Sequence, residues 1–239
     1  MKSAVVLLVL MIVTTVFSLP ARAAKSEVFV LATLYKRHES VAVYDLPTLR
    51  RIILAVKPEA VVLDVNPNEL KEQKVHASKI EYPNVIFPLV KSENYLAYAA
   101  EPAEPMFTEI VRAGTKAFGQ FEKDSPEKSA AMKRYTADLY EALKFSWQPP
   151  ADVNGALTDK LVSGKQALEV KFIEVFDENE RRWNQHTTDV VLRAVKENPN
   201  KRVLVLIGIE NCYWVRDALR NNKKINLIDM EQWLRTNLN

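Results

Sequence analysis

Apolar positions along this chain follow two rhythms. Val28 to Leu34 is a short run of apolar and β-branched residues, the pattern of a strand buried on both faces. Leu46, Leu49, Ile52, Ile53 and Val56 then recur at helical spacing. Asp45 stands where it can cap that helix, Pro47 falls in its first turn, and Pro58 closes the pattern after Lys57. Ala60 to Val65 is a second buried run. Strand, amphipathic helix and strand in close succession make a βαβ unit, whose two strands are expected to be parallel with a right-handed crossover. Asn84 to Val90, bounded by Pro83 and by polar residues, reads as a third strand. From about Glu104 to Asn198 the pattern is helical only, rich in Ala, Lys and Glu, with breaks near Asp124-Ser125-Pro126 and Gln148-Pro149-Pro150. Val203 to Ile209 is a strongly apolar strand, followed by a helix from about Tyr213 to Asn221 and a last short strand from Ile225 to Ile228. The expected fold class is α/β: a central, mostly parallel sheet flanked by helices, with a long helical insertion (about 104–198) between the third and fourth strands.

The first 23 residues stand outside this pattern. Lys2 supplies a positive start, Ala4 to Leu19 is an apolar run, and Pro20-Ala21-Arg22-Ala23 offers small residues where a signal peptidase reads. Residues 1–23 are therefore expected to be a cleaved secretory signal, residues 24–239 a single domain, and the protein exported, periplasmic or secreted. Left uncleaved, the run would be an anchor, although it falls short of the roughly 20 residues of a spanning helix.

Losing Lys2 and Arg22 takes the basic side chains from 33 to 31, against 30 acidic ones. A nearly neutral domain gives no electrostatic ground for nucleic acid or an anionic membrane as partner, so contact with a membrane is expected only through an uncleaved leader. Cys212 is the single cysteine, which excludes an internal disulfide, and its place just after an apolar strand predicts burial.

Several chemistries are excluded by the residues themselves. Gly114, Gly119, Gly155, Gly164 and Gly208 do not cluster as a phosphate-cradling loop. His38, His76 and His186 are far apart, with no zinc-protease helix, and no serine occupies a nucleophile elbow. A positional argument remains, because parallel α/β sheets bind ligands beyond the carboxyl ends of their strands. There the first strand delivers Tyr35, Lys36, Arg37, His38 and Glu39, the second Asp64 and Asn66, the expected third Lys91, Ser92 and Glu93, and the fourth Glu210, Asn211, Cys212 and Tyr213. His38 with Asp64 and Glu210 could carry acid/base work or hold a divalent metal. Tyr35, Asn211 and Tyr213 are the matching ligand-binding candidates. Tyr95, Tyr98, Tyr135, Tyr140, Trp147 and Trp183 could line a cavity under the helical insertion, and core packing explains them equally.

Two segments resemble the superfamily that contains the TraB, PrgY, GumN and Tiki proteins, the erythromycin esterases and the haem-uptake ChaN proteins. Val28-Phe-Val-Leu-Ala-Thr-Leu-Tyr-Lys-Arg-His38, with the strand Pro58 to Asp64 that follows the helix, is similar to that group's opening: a strand, a Gly-Thr-x-His-like turn, a helix, and a strand ending in a carboxylate. Arg202 to Leu219 is similar to its late strand, Gly-x-x-His turn and helix, and Glu180 to Val191 to the Arg-containing helix before that strand. The likeness covers about half of the expected domain. Within it Tyr35 stands at the first His of the pattern, Asp64 at the Glu and Asn211 at the second His. A phenol and an amide are poor general bases near neutral pH, and an amide is a poor ligand for a transition metal. The resemblance thus implies an exported, non-catalytic member that binds a small ligand or a protein partner. A hydrolase rebuilt from His38, Asp64 and Glu210, and a binder of haem or a metal chelate through Tyr35 or His38, are the alternatives. The residues assign no cofactor.

Overall fold

A computed structural model describes residues 25–238; the expected leader lies outside the described residues. The first strand, β1 (Ser26–Thr33), is buried along almost its whole length. Two short 3-10 turns, Tyr35–Glu39 and Ala42–Tyr44, lead into α1 (Leu46–Val56). The helix begins where its residues require: the Asp45 carboxylate accepts from the Thr48 amide at 2.8 Å, and Leu49, Ile52, Ile53 and Val56 form its buried face. Lys57 takes a left-handed conformation and ends it. Strand β2 (Ala60–Leu63) follows, then α2 (Pro67–Glu72), which starts from a reciprocal capping box between Asn66 and Glu69.

The expected strand at Asn84 to Val90 is helical. Tyr82–Ile86 forms one π-type turn that runs into α3 (Phe87–Ser92), and the third strand is β3 (Leu96–Ala99). Tyr82, Val85, Ile86 and Leu89, all buried, are spaced i, i+3, i+4, i+7, so one helical face accounts for the apolar run as well as a strand does. Strand β3 escapes notice because Leu96-Ala97-Tyr98-Ala99 is a half-exposed edge strand without β-branched residues.

Five helices separate β3 from the next strand: α4 (Met106–Asp124), α5 (Pro126–Ser146), α6 (Pro150–Val153), α7 (Ala156–Phe172) and α8 (Val175–Glu197). Then come β4 (Arg202–Gly208), α9 (Ile209–Arg220), β5 (Ile225–Leu227) and α10 (Met230–Asn237). Helix α9 starts directly at the end of β4, four residues before the expected Tyr213.

The sheet is parallel throughout, in the order β3-β2-β4-β1-β5. Thr33 is level with Gly208, and Leu63 with Leu206 on one side and Ala99 on the other. The chain moves one way across the sheet from β1 to β3 and the other way from β3 to β5. Right-handed crossovers therefore put α1 and α3 on one face and α8 and α9 on the other. In agreement, α8 packs on α9, and α1 on the Tyr82–Ile86 turn. At 1.5 Å per residue, the 23 residues of α8 span about 35 Å, more than any strand here. Its C-terminal part buries Val190, Val191 and Ala194, while its N-terminal part buries Asn179, Asn184 and Thr187. The Thr187 hydroxyl donates to the Ala100 carbonyl at 3.2 Å, just past the end of β3. Among the described residues no helix is long and apolar enough to cross a membrane.

Candidate functional site

Because every strand points the same way, β1, β2, β3 and β4 end on one edge, and the polar residues gathered there form two nests. The first is built on Asp64. Its carboxylate Oδ2 accepts from the Tyr35 hydroxyl and from the Gly208 amide at 3.1 Å. Tyr35 opens the turn after β1 with φ 52, a left-handed conformation unusual for a side chain of this size. That turn brings its phenol over Gly208. An ideal Cβ built on Gly208 would meet the Tyr35 ring carbon Cζ at 2.6 Å, so the absence of a side chain at 208 is what admits the phenol. Burial, and then the charge of Asp64, push the Tyr35 hydroxyl well above its ordinary pKa; it is a donor to Asp64, and not a phenolate, across the physiological range.

Replacing Gly208 by Ala is accordingly expected to lose about 3 kcal/mol of stability, at the upper end of overpacking effects. In a Tyr35→Ala background the same change is expected to cost less than about 1 kcal/mol, since the clash is gone. Urea unfolding of the four proteins in this cycle measures the coupling; a coupling near zero refutes the assigned contact.

The second nest is built on Glu210, in the first turn of α9. Its Oε1 accepts from the Tyr140 hydroxyl of α5 at 2.6 Å, and its Oε2 lies 3.2 Å from Nζ of Lys165 on α7. Lys165, almost wholly buried, also pairs with Glu169 at 3.0 Å. The Arg37 guanidinium stacks over the Tyr140 ring, 3.8 Å from its centroid. Burial opposes ionisation of Glu210, but the Lys165 ammonium and the Tyr140 hydroxyl outweigh it and hold its carboxyl below the usual range. Glu180, on the overhanging part of α8, is pushed the other way, up to about 7, first by burial and then by the charge of Glu169. Asn211 and Tyr213 sit half-buried on the same turn as Glu210, and burial pushes Tyr213 up to about 12.

His38 joins neither nest. It is buried; its Nε2 accepts from the Leu34 amide at 3.0 Å and its Nδ1 lies 2.6 Å from the Tyr44 carbonyl. The first contact fixes the tautomer, so Nδ1 carries the proton and donates to that carbonyl. Burial lowers its pKa to about 4, and the neutral ring ties together the loop between β1 and α1. With both nitrogens engaged it has no lone pair for a substrate proton, a metal or haem. Among the described residues no group of three or more His, Cys, Asp and Glu is placed to hold a metal ion. Cys212 is buried and free.

Sequence reasoning missed the groups behind Asp64. The Tyr82 hydroxyl lies between the Asp64 amide, from which it accepts at 2.8 Å, and the Leu206 carbonyl, to which it donates at 3.2 Å. Lys79 donates to the Asp64 carbonyl at 2.6 Å and pairs with Glu101, which follows β3. Burial disfavours the ammonium, yet Asp64 and Glu101 prevail and raise its pKa. Glu81 is wholly buried. A charged residue between the apolar Ile80 and Tyr82 was the one sequence signal available for it.

Compared with protein-family models, with curated proteins and with solved structures, the chain finds no match in any of the three. The class it defines is an all-parallel α/β protein with two tyrosine–carboxylate nests at the carboxyl edge of its sheet.

Proposed function

We propose that this chain is an exported α/β protein that binds a small ligand or a protein partner at the carboxyl edge of its sheet without turning it over, a divergent relative of the TraB and erythromycin-esterase group. The observation that carries this reading is that its best acid/base groups are engaged by the chain itself. Tyr35 and the Gly208 amide hold Asp64, Tyr140 and Lys165 hold Glu210, and two backbone groups hold both nitrogens of His38. General acid/base catalysis needs a lone pair or proton aimed at the substrate; both His38 nitrogens are occupied, and the two carboxylates are tied to donors of the chain itself. Glu210, with 36% of its side-chain surface exposed, is held in this way as a fixed acceptor at that edge, suited to recognition. The apolar leader supports export.

A second reading, a hydrolase, draws on one observation: Glu180 and Glu210 are pushed to opposite sides of the usual carboxylate range, the separation that acid/base pairs use. Purified protein assayed against carboxylic esters, phosphoesters and peptides separates the two. The expected result is no turnover above that of the doubly substituted Asp64→Ala, Glu210→Ala protein. Turnover that Glu180→Gln abolishes while the fold persists by circular dichroism establishes the hydrolase in its place.

A further inference from the structure

Asp64, Glu81 and Glu101 bring three carboxyls to one ammonium, that of Lys79. Asp64 is met by Tyr35 and the Gly208 amide, and Glu101 by Lys79. Glu81 has no such partner: it has no exposed surface, no well-formed hydrogen bond reaches either of its carboxyl oxygens, and the Thr33 hydroxyl on β1 faces it with only a weak contact. The groups around it are Asp64 beyond β2, Lys79 on its own segment, and the phenols of Tyr44 and Tyr82. Glu101 follows β3, and His186 of α8 lies near its backbone. Helix α1, packed on the same segment, buries only Leu49, Ile52, Ile53 and Val56. A carboxylate cannot be held in such a place without a partner, whereas the neutral acid can.

We infer that Glu81 is the pH-sensitive pin of a latch, residues 79–87, that closes over the Asp64 end of the sheet when Glu81 is a neutral acid and loosens when it ionises. The latch is fastened by Lys79 on the Asp64 carbonyl and by the Tyr82 hydroxyl between Asp64 and Leu206. Loosening it removes both supports from the residue that holds Tyr35, so the pin governs the order of the candidate site whatever that site binds.

The direction follows from linkage. Burial pushes closed-state Glu81 up to about 7, against 4.5 for a free carboxyl. Between those values the closed form holds a proton that the open form does not. The open population therefore rises with pH, by up to about tenfold per unit, and levels off above about 7.

Hydrogen exchange of the whole protein at pH 5, 6, 7 and 8, corrected for the intrinsic exchange rate, tests this. Opening in peptides covering residues 76–90 is expected to rise about 40-fold from pH 5 to pH 7 and then to level off. Glu81→Gln is expected to abolish the rise while leaving His76, which lies exposed against Ser78, in place. The same rise in both proteins overturns the inference. Should Glu81→Gln not fold, wild-type protein alone decides: a rise confined to residues 76–90 supports the latch, and an equal rise across β4 and α9 overturns it.

Discussion

Replacing Arg216 by Met is expected to cost about 4 kcal/mol, within the range for breaking a buried ion pair by removing one partner. The guanidinium, largely buried on α9, reaches both oxygens of Asp159 on α7 at 2.7 and 2.8 Å. It also donates to the Val30 carbonyl of β1 and to Asn154 Oδ1, each at 3.0 Å, and the same Asn154 oxygen accepts from the Ala32 amide at 2.8 Å. One side chain thus joins the longest strand to α9, which packs on it, and to α7, which packs on α9. Met can fill the volume, but it leaves a carboxylate with 20% of its side-chain surface exposed without its ion-pair partner, and with only the more distant charge of Arg220 to favour it. Adding Asp159→Leu should restore most of the loss, because the stranded charge goes with it. Urea unfolding followed by circular dichroism measures both. A loss below about 1 kcal/mol for Arg216→Met means that water replaces the guanidinium and the joint is weaker than its geometry suggests.

Stability against pH should show two buried groups working in opposite directions. His38 has a folded pKa of about 4 against an ordinary 6.5, so the unfolded chain takes up its proton first and stability falls as pH drops from 6.5 to 4. Glu81 has a folded pKa of about 7 against 4.5; its contribution is complete below 4.5 and is lost as pH rises to 7. Each displacement corresponds to about 3 kcal/mol, and between 4.5 and 6.5 the two slopes nearly cancel. The wild-type profile from this pair is therefore flat, and whole-molecule melting conceals the latch that local exchange reveals. Glu81→Gln should uncover the histidine slope, with stability rising by about 3 kcal/mol from pH 4 to pH 6.5. Melting temperatures of the two proteins across that range check it, and parallel profiles refute the assignment of Glu81.

Most of the sheet was legible because its central strands are buried on both faces and read as unbroken apolar runs. Strands β1, β2, β4 and β5 fall where Val28 to Leu34, Ala60 to Val65, Val203 to Ile209 and Ile225 to Ile228 place them, within two residues at each end. β3 was lost to competition between two short apolar stretches, of which the more apolar one serves a helical face. At the edge of the sheet, topology alone brings Tyr35 to Asp64, and no local pattern could announce it. Spacing likewise says nothing of His38, whose imidazole looks like chemistry in a list of residues and serves here to hold a loop. Gly208 stood in plain view before Glu210, but its meaning depends on a tyrosine 173 positions earlier. Lys79, Glu81 and Glu101 stayed hidden because a charged residue beside a loop is normally solvated, and only the folded chain shows these three turned inward.

The strand order also has a consequence for how the chain comes into being. β4 lies between β1 and β2, and it is read out long after both, behind the five helices α4 to α8. Until about residue 208 has left the ribosome, β1 has neither of its neighbours and β2 has only the short β3 beside it. A nascent chain of this design stays without its central sheet while everything from β1 to α8 is made. That leaves a long interval in which a chaperone meets an unassembled polypeptide in place of a finished domain.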